Sequence, residues 1–112
     1  MFKTRITEMV QVQHPVLMGG MQWLARAELV SAVANAGGLA FITAVSFRSV
    51  EELREEIRKT RDLTDKPFGV NISMLPVLMP GDLTDAYMDL VCEEEIPVVE
   101  TAGRSPEKYV EQ

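Results

Sequence analysis

The chain has 112 residues, a formal net charge of −6 and a sequence pI near 4.7. This acidic balance argues against nucleic acid as a partner, because phosphate binding requires a basic surface. No apolar run approaches the ~20 residues that a membrane-spanning helix needs, and the single cysteine, Cys92, has no internal disulfide partner. These features predict one cytoplasmic domain of an ordinary globular kind, with neither nucleic acid nor membrane as a partner.

A short apolar strand is predicted at residues 16–18, after a lead-in strand or turn at residues 2–13. The strand runs directly into Gly19 and Gly20. Two glycines at the carboxyl end of a buried strand let the backbone turn sharply or come close to a flat or charged ligand. The alternative interpretation is a plain strand-to-helix turn, in which glycine is needed only for the backbone dihedral angles that it can adopt.

Three further strands alternate with three helices in the remainder of the chain. A capping box, Ser49 with Glu52, predicts the start of the middle helix. Cys92 is predicted to be a small core residue of the third helix, followed by a solvated acidic end at residues 93–95. The remaining strands are predicted at residues 39–44, 68–74 and 97–101, the helices at residues 26–36, 49–59 and 83–91, and a loop around Pro76 and Pro80-Gly81.

The order βαβαβαβ predicts an α/β fold with a parallel sheet. Strand starts near residues 15, 39, 68 and 97 fit the first half of a TIM (β/α)₈ barrel, with four strands and three complete helices. A fourth helix begins at Ser105. Because a parallel sheet needs neighbours at its edges, we expect residues 1–112 to be the N-terminal half of a longer barrel domain. The alternative is that two copies meet edge to edge.

The carboxyl ends of the strands share one rim in a barrel, and ligand sites are built there. Asn71 is the strongest candidate, because an amide inside an apolar strand must satisfy several hydrogen-bonding groups. It would hold the edge of a heteroaromatic ring or bond the backbone of a neighbouring strand end. Ser73 could reach a ring or a phosphate, or bond locally. Met21 and Gln22 could lie against a planar cofactor, or simply start a helix.

Other polar residues are weaker candidates. His14 is the only histidine and precedes the first strand, on the rim opposite the expected site, so a structural role is favoured. One histidine and one cysteine cannot supply a set of metal ligands. We therefore predict no metal site.

Three long motifs resemble the nitronate monooxygenase family, formerly called 2-nitropropane dioxygenases. They read HPVLMGGMQWLARAELVSAVANAGGLAFITA, LTDKPFGVNIS and IPVVETAG. The flavin-dependent enoyl-acyl-carrier-protein reductases resemble the same segments, but GGMQW and VVETAG are more similar to the nitronate oxidisers and the related NADH:quinone reductases. The resemblance implies a TIM barrel that binds FMN at its carboxyl rim. It places Gly20, Met21 and Gln22 along the flavin, with Asn71 and Ser73 near the ring.

The resemblance implies an FMN-dependent oxidoreductase that oxidises alkyl nitronates with O₂ through the flavin. A flavin NAD(P)H:quinone or enoyl reductase, acting on a quinone or an enoyl thioester, is one alternative. A half-barrel without activity that homodimerises through its exposed sheet edges is another. The family's catalytic histidine and late phosphate-binding loops lie beyond Gln112. We therefore expect no catalytic residue within this chain, and no activity from the chain alone.

Overall fold

Four parallel strands alternate with helices along the chain, as the spacing of the apolar runs predicts. The computed structural model describes residues 2–75 and 81–112. The strands are β1 Leu17–Met18, β2 Leu39–Thr43, β3 Gly69–Met74 and β4 Val98–Gly103. The helices are α1 Arg5–Val10, α2 Ala27–Asn35, α3 Val50–Leu63 and α4 Thr84–Glu93, with short 3₁₀ turns at Ala44–Ser46 and Glu107–Tyr109.

The sheet has the order β1-β2-β3-β4, and each strand pairs in parallel with its successor. This arrangement is the first half of a (β/α)₈ barrel, and it confirms the predicted fold class. Parallel pairing brings the carboxyl ends of all four strands to one edge of the sheet. Among the described residues, no helix is long and apolar enough to cross a membrane.

The hydrophobic core lies between the sheet and α2, α3 and α4. Successive strand residues point to opposite faces, so alternate residues of β2 and β3 meet the helices. Burying each of these side chains contributes about 1.5–3 kcal/mol. The fully buried members of this core include Val30, Ile42, Leu53, Ile57, Val70, Ile72 and Leu90.

The predicted lead-in strand or turn at residues 2–13 is wrong, because α1 occupies this segment. The Thr4 side chain accepts a hydrogen bond from the backbone N–H of Thr7 at 3.1 Å, and Thr7 Oγ1 accepts one from Thr4 N at 2.8 Å. Two threonines therefore close the capping box, whereas the usual sequence signature ends in Glu or Gln.

The burial predicted for β1 and for Cys92 is also wrong. Val16 is 58% exposed and Leu17 is 50% exposed, because β1 is an edge strand with a neighbour on one side only. Cys92 is exposed, since α4 turns its other face, with Leu90 and Val91, towards the core. The fourth helix begun at Ser105 is only a 3₁₀ turn. The predicted loop at residues 76–80 lies outside the described residues.

The acidic end of α4 is not simply solvated, because Glu94 is buried against α3. Its Oε1 accepts hydrogen bonds from Arg54 Nη1 at 2.9 Å and Arg58 Nη2 at 3.3 Å, and its Oε2 accepts one from Arg61 Nη1 at 2.8 Å. Burial raises the pKa of Glu94, but the bond from Arg54 and the three guanidinium charges outweigh burial. The pKa therefore lies below its ordinary value of 4.5.

Glu94→Gln should lower the free energy of unfolding by about 1–2 kcal/mol, because it weakens charged hydrogen bonds whose arginine partners can still reach water. A carboxylate whose pKa is lowered in the folded protein stabilises the fold at pH values above its ordinary pKa. This stabilisation is lost as the pH falls through the lowered pKa of the folded state. Denaturant unfolding at neutral pH and well below pH 4.5 should therefore show a smaller acid loss in Glu94→Gln than in wild type.

Glu93→Gln is the matched control for this cluster. Glu93 is mainly exposed, and within residues 2–75 and 81–112 it pairs with Arg54 alone, at 2.9 Å, so its loss should cost less than about 0.5 kcal/mol. Equal effects of the two substitutions would contradict a special role for Glu94.

Candidate functional site

A cavity of about 790 Å³ lies at the carboxyl ends of the strands. All four strand ends contribute to it, and the start of α4 forms part of its wall. The predicted site residues Gly20, Gln22, Asn71 and Ser73 line this cavity, whereas Gly19 and Met21 are not among its lining residues. The structure thus brings four of the six predicted residues together.

The strand register explains why polar groups meet in this cavity. Thr43, Asn71 and Glu100 are direct partners on β2, β3 and β4. Partners in a parallel sheet point to the same face, so the three side chains form one row, here called the polar row. Two residues earlier on each strand, Phe41, Gly69 and Val98 form an apolar row on the same face. On this face of the sheet, the apolar row therefore lies directly beside the polar row, on the side nearer the amino ends of the strands.

Asn71 is the centre of the polar row and is only 7% exposed. Its Nδ2 donates to Glu100 Oε2 at 2.9 Å, and its Oδ1 accepts a long hydrogen bond of 3.4 Å from Ser73 Oγ. The amide thus has a partner on a neighbouring strand, but this partner is the Glu100 side chain and not the strand-end backbone that one of the two interpretations of the sequence expected. Its oxygen faces the cavity side, where Ser73 also lies.

Glu100 lies at a strand end that the sequence places on the rim, but it was not predicted as a site residue. Its Oε2 accepts a second hydrogen bond, from the backbone N–H of Gly20 at 3.0 Å, so one carboxylate oxygen links the end of β1 to β3 and β4. An acidic residue inside the apolar run VVETAG was the available signal. Its importance follows from the strand register, which places Glu100 directly beside Asn71, and the register cannot be inferred from one sequence.

Thr43 also lies at a predicted strand end on the rim and was not selected as a site residue. Its side chain is 2% exposed, and its Oγ1 has no hydrogen-bond partner in the part of the chain that the structure describes. A buried hydroxyl without a partner costs about 1–3 kcal/mol, so such groups are rare and need an explanation. Because Thr43 lines the cavity, a bound ligand is a direct explanation.

The two glycines are explained by the lack of space for a side chain at the end of β1. Neither Gly19 nor Gly20 has a positive φ angle, so the turn does not need their dihedral freedom. A Cβ on Gly20 would lie 2.6 Å from both Cβ and Cγ of Asn71, whereas one on Gly19 would meet only the Glu100 carboxylate at 3.2 Å. Gly20 is therefore required so that β1 can approach the polar row. The Met21 carbonyl accepts bonds from residues 24 and 25, but these close a single turn and do not start a helix, because Trp23 has a φ of 70° and α2 begins only at Ala27.

Charged residues surround the mouth of the cavity, with Arg48 and Asp82 among them. Hydrogen bonds from the hydroxyl and the backbone N–H of Thr84 lower the pKa of Asp82, and Arg104 adds to the effect. Within residues 2–75 and 81–112, no group of three or more His, Cys, Asp or Glu residues could hold a metal ion. The exposed His14 lies before β1, away from these residues.

Curated relatives share much of this sequence. A Rhodococcus jostii (3aS,4S,5R,7aS)-5-hydroxy-7a-methyl-1-oxo-octahydro-1H-indene-4-carboxyl-CoA dehydrogenase is 43% identical over 102 residues, which cover 89% of this chain and 27% of the relative. A probable nitronate monooxygenase of Staphylococcus haemolyticus is 39% identical over 71 residues, covering 63% of this chain and 20% of the relative. The chain thus spans about a quarter or less of the length of these relatives.

Solved structures share the fold. FabK from Thermotoga maritima superimposes with a TM-score of 0.87 and 38% sequence identity, over 98% of this chain and 33% of that one. A nitroalkane oxidase from Streptomyces ansochromogenes superimposes with a TM-score of 0.71 and 23% identity, over 88% of this chain and 35% of that one. The second likeness concerns the fold alone.

The family model described as nitronate monooxygenase matches residues 3–109, which includes every strand and every residue of the polar row. The relatives and the family model agree on an oxidoreductase family. The chain belongs to the nitronate monooxygenase family.

Proposed function

We propose that the rim cavity is one wall of an FMN site in a flavin-dependent oxidoreductase. The observation that carries this proposal is the unpartnered, buried hydroxyl of Thr43 beside the fixed amide of Asn71. A flavin ring is flat, is apolar on its faces and carries carbonyl and N–H groups along one edge. It could therefore stack against apolar side chains that line the cavity, such as Val45 and Leu75, while that edge meets the polar row.

The residues present fit such a ring. Asn71 offers an amide oxygen, Thr43 and Ser73 offer hydroxyls, and Gly20, by lacking a side chain, lets the end of β1 pack against Asn71. FMN, when bound, supplies the redox chemistry, while the protein binds and orients the reactants. In this proposal residues 1–112 provide one wall of the barrel domain, and further βα units provide the phosphate loops and the catalytic base.

The substrate that we propose first is an alkyl nitronate, oxidised with O₂ through the flavin. Membership of the nitronate monooxygenase family supports it, as do relatives named for that activity. The second candidate is an acyl-thioester oxidoreductase. The 43% identity to a carboxyl-CoA dehydrogenase and the superposition on FabK favour it.

Flavin reduction separates the two activities. Anaerobic mixing of the FMN-loaded protein with ethyl nitronate, or with NADH, would be followed by the visible absorption of the flavin. Rapid bleaching by the nitronate alone supports the first candidate. Bleaching by NADH, followed by reoxidation with an enoyl thioester, supports the second. A protein that carries residues 1–112 together with the further βα units, and still never takes up FMN, contradicts both.

A half-barrel that homodimerises without a cofactor is a further candidate. The exposed edge strand β1, with Val16 and Leu17 more than a third exposed, supports it. It predicts a defined dimer in size-exclusion chromatography with light scattering, and no FMN binding. A monomer that binds FMN would contradict it.

Thr43→Val should have two effects of opposite sign, one on stability and one on FMN affinity. Valine has nearly the shape of threonine but no hydroxyl, so removing an unpartnered buried group should raise the free energy of unfolding by about 1 kcal/mol. The same change removes a ligand contact, so FMN should bind about 5–10-fold more weakly. Denaturant unfolding and flavin fluorescence titration measure the two effects. Unchanged FMN affinity would show that Thr43 does not contact the cofactor.

A further inference from the structure

The Asn71 amide has a fixed orientation, and Glu100 is the cause. An ionised carboxylate can only accept hydrogen bonds, so the Nδ2 group of Asn71 must face Glu100 Oε2, 2.9 Å away. The amide oxygen must then point the other way, towards Ser73 and the cavity. An uncharged partner with both donor and acceptor groups would not impose this choice.

The same carboxylate oxygen also fixes the glycine turn. It accepts the backbone N–H of Gly20 at 3.0 Å, so Asn71 and the end of β1 are held by one charged acceptor. Hydrogen bonds to a charged acceptor are about twice as strong as neutral ones. The close packing of Gly20 against Asn71 leaves the amide little room to rotate.

We propose that Glu100 is the positioning residue of this site. By presenting Asn71 Oδ1 as an acceptor, it selects ligands whose polar edge carries an N–H donor. The adjacent hydroxyl of Thr43 can donate to a carbonyl next to that N–H, so the polar row recognises an imide-type edge. The choice of FMN as the ligand rests on the proposed function. The orientation of the amide does not.

The orientation can be tested without any ligand, because the chain contains only two asparagines, Asn35 and Asn71. Selective ¹⁵N labelling of asparagine should give two side-chain amide pairs in an NMR spectrum. Glu100→Gln should shift the Asn71 pair and speed its hydrogen exchange. Asn35, which donates to the Leu63 carbonyl at 3.1 Å, should not change. Glu55→Gln, an exposed carboxylate-to-amide change on α3, is the matched control.

The selection can be tested with FMN and with FMN methylated at N3, which lacks the ring N–H. Wild type should prefer FMN by about tenfold, the contribution of one hydrogen bond. In Glu100→Gln the new amide can donate to Asn71 Oδ1, so both amide orientations become populated and the preference should fall to about threefold or less. Glu55→Gln should keep the full preference.

The outcomes are separable. An Asn71 amide that does not respond to Glu100→Gln overturns the positioning role, whatever FMN does. Equal preference for FMN in wild type and Glu100→Gln overturns the selection. Failure of the wild-type protein to bind either flavin, with residues 1–112 joined to the further βα units of the proposed domain, contradicts the proposed function and the selection together. The amide measurement still decides the role of Glu100.

Discussion

Replacing Gly69 with alanine should lower the free energy of unfolding by about 3 kcal/mol, the upper part of the range for overpacking a core. Gly69 is the central member of the apolar row under the site. A Cβ there would lie 2.5 Å from two ring carbons of Phe41 and 2.6 Å from the carbonyl oxygen of Val98. The ring could tilt, but Val98 O belongs to the paired strand β4, so the sheet itself would have to move.

Denaturant unfolding of Gly69→Ala, Phe41→Leu and the double variant measures this effect. The double variant should recover part of the loss, because the smaller leucine frees space above Gly69. Gly38→Ala is the comparison. Its Cβ would meet Val16 O at 3.1 Å and Val33 Cγ1 at 3.3 Å, so a smaller loss is expected. Equal stability of wild type and Gly69→Ala would show that the interior of the half-barrel is loosely packed.

Replacing Gly20 with alanine should weaken FMN binding by about 30-fold, which corresponds to about 2 kcal/mol. The added methyl group would lie 2.6 Å from Cβ and Cγ of Asn71. It must push Asn71 away from Glu100, or push the β1 turn away from the polar row. The first movement breaks the hydrogen bond from Asn71 Nδ2 to the Glu100 carboxylate, and the second breaks the one from Gly20 N.

Gly19→Ala is the matched control, since it is the same change one residue earlier. Its Cβ would meet mainly Glu100 Oε1, at 3.2 Å, whereas the hydrogen bonds from Asn71 and Gly20 go to Oε2, so a small shift of Oε1 relieves the contact without breaking them. Flavin fluorescence titration should show at most a threefold loss of FMN affinity for this variant. Similar losses in both variants would mean that the turn matters as a whole, and not the approach of Gly20 to Asn71.

The sequence by itself determined the alternation of strands and helices. β2 is buried at all five positions, as its continuous apolar run predicts, and Ser49 caps α3 by accepting from Glu52 N at 3.2 Å. These features depend on neighbours a few residues apart, so local patterns contain them. The same patterns identified Asn71 as a candidate site residue. An amide in an apolar strand is unusual in itself, so no knowledge of its partner was needed.

Only the tertiary structure decided which residues form the site. Glu100 is 80 residues from Gly20 and 29 from Asn71 along the chain, yet one carboxylate oxygen binds both. Thr43 gains its significance from being buried without a partner, and Glu94 from three arginines of another helix. Strand register and helix packing set these contacts, and neither is a property of the local sequence. The pattern of apolar and polar residues along the chain therefore specified the helices and strands. The pairing of distant strands specified which polar groups meet at the strand ends.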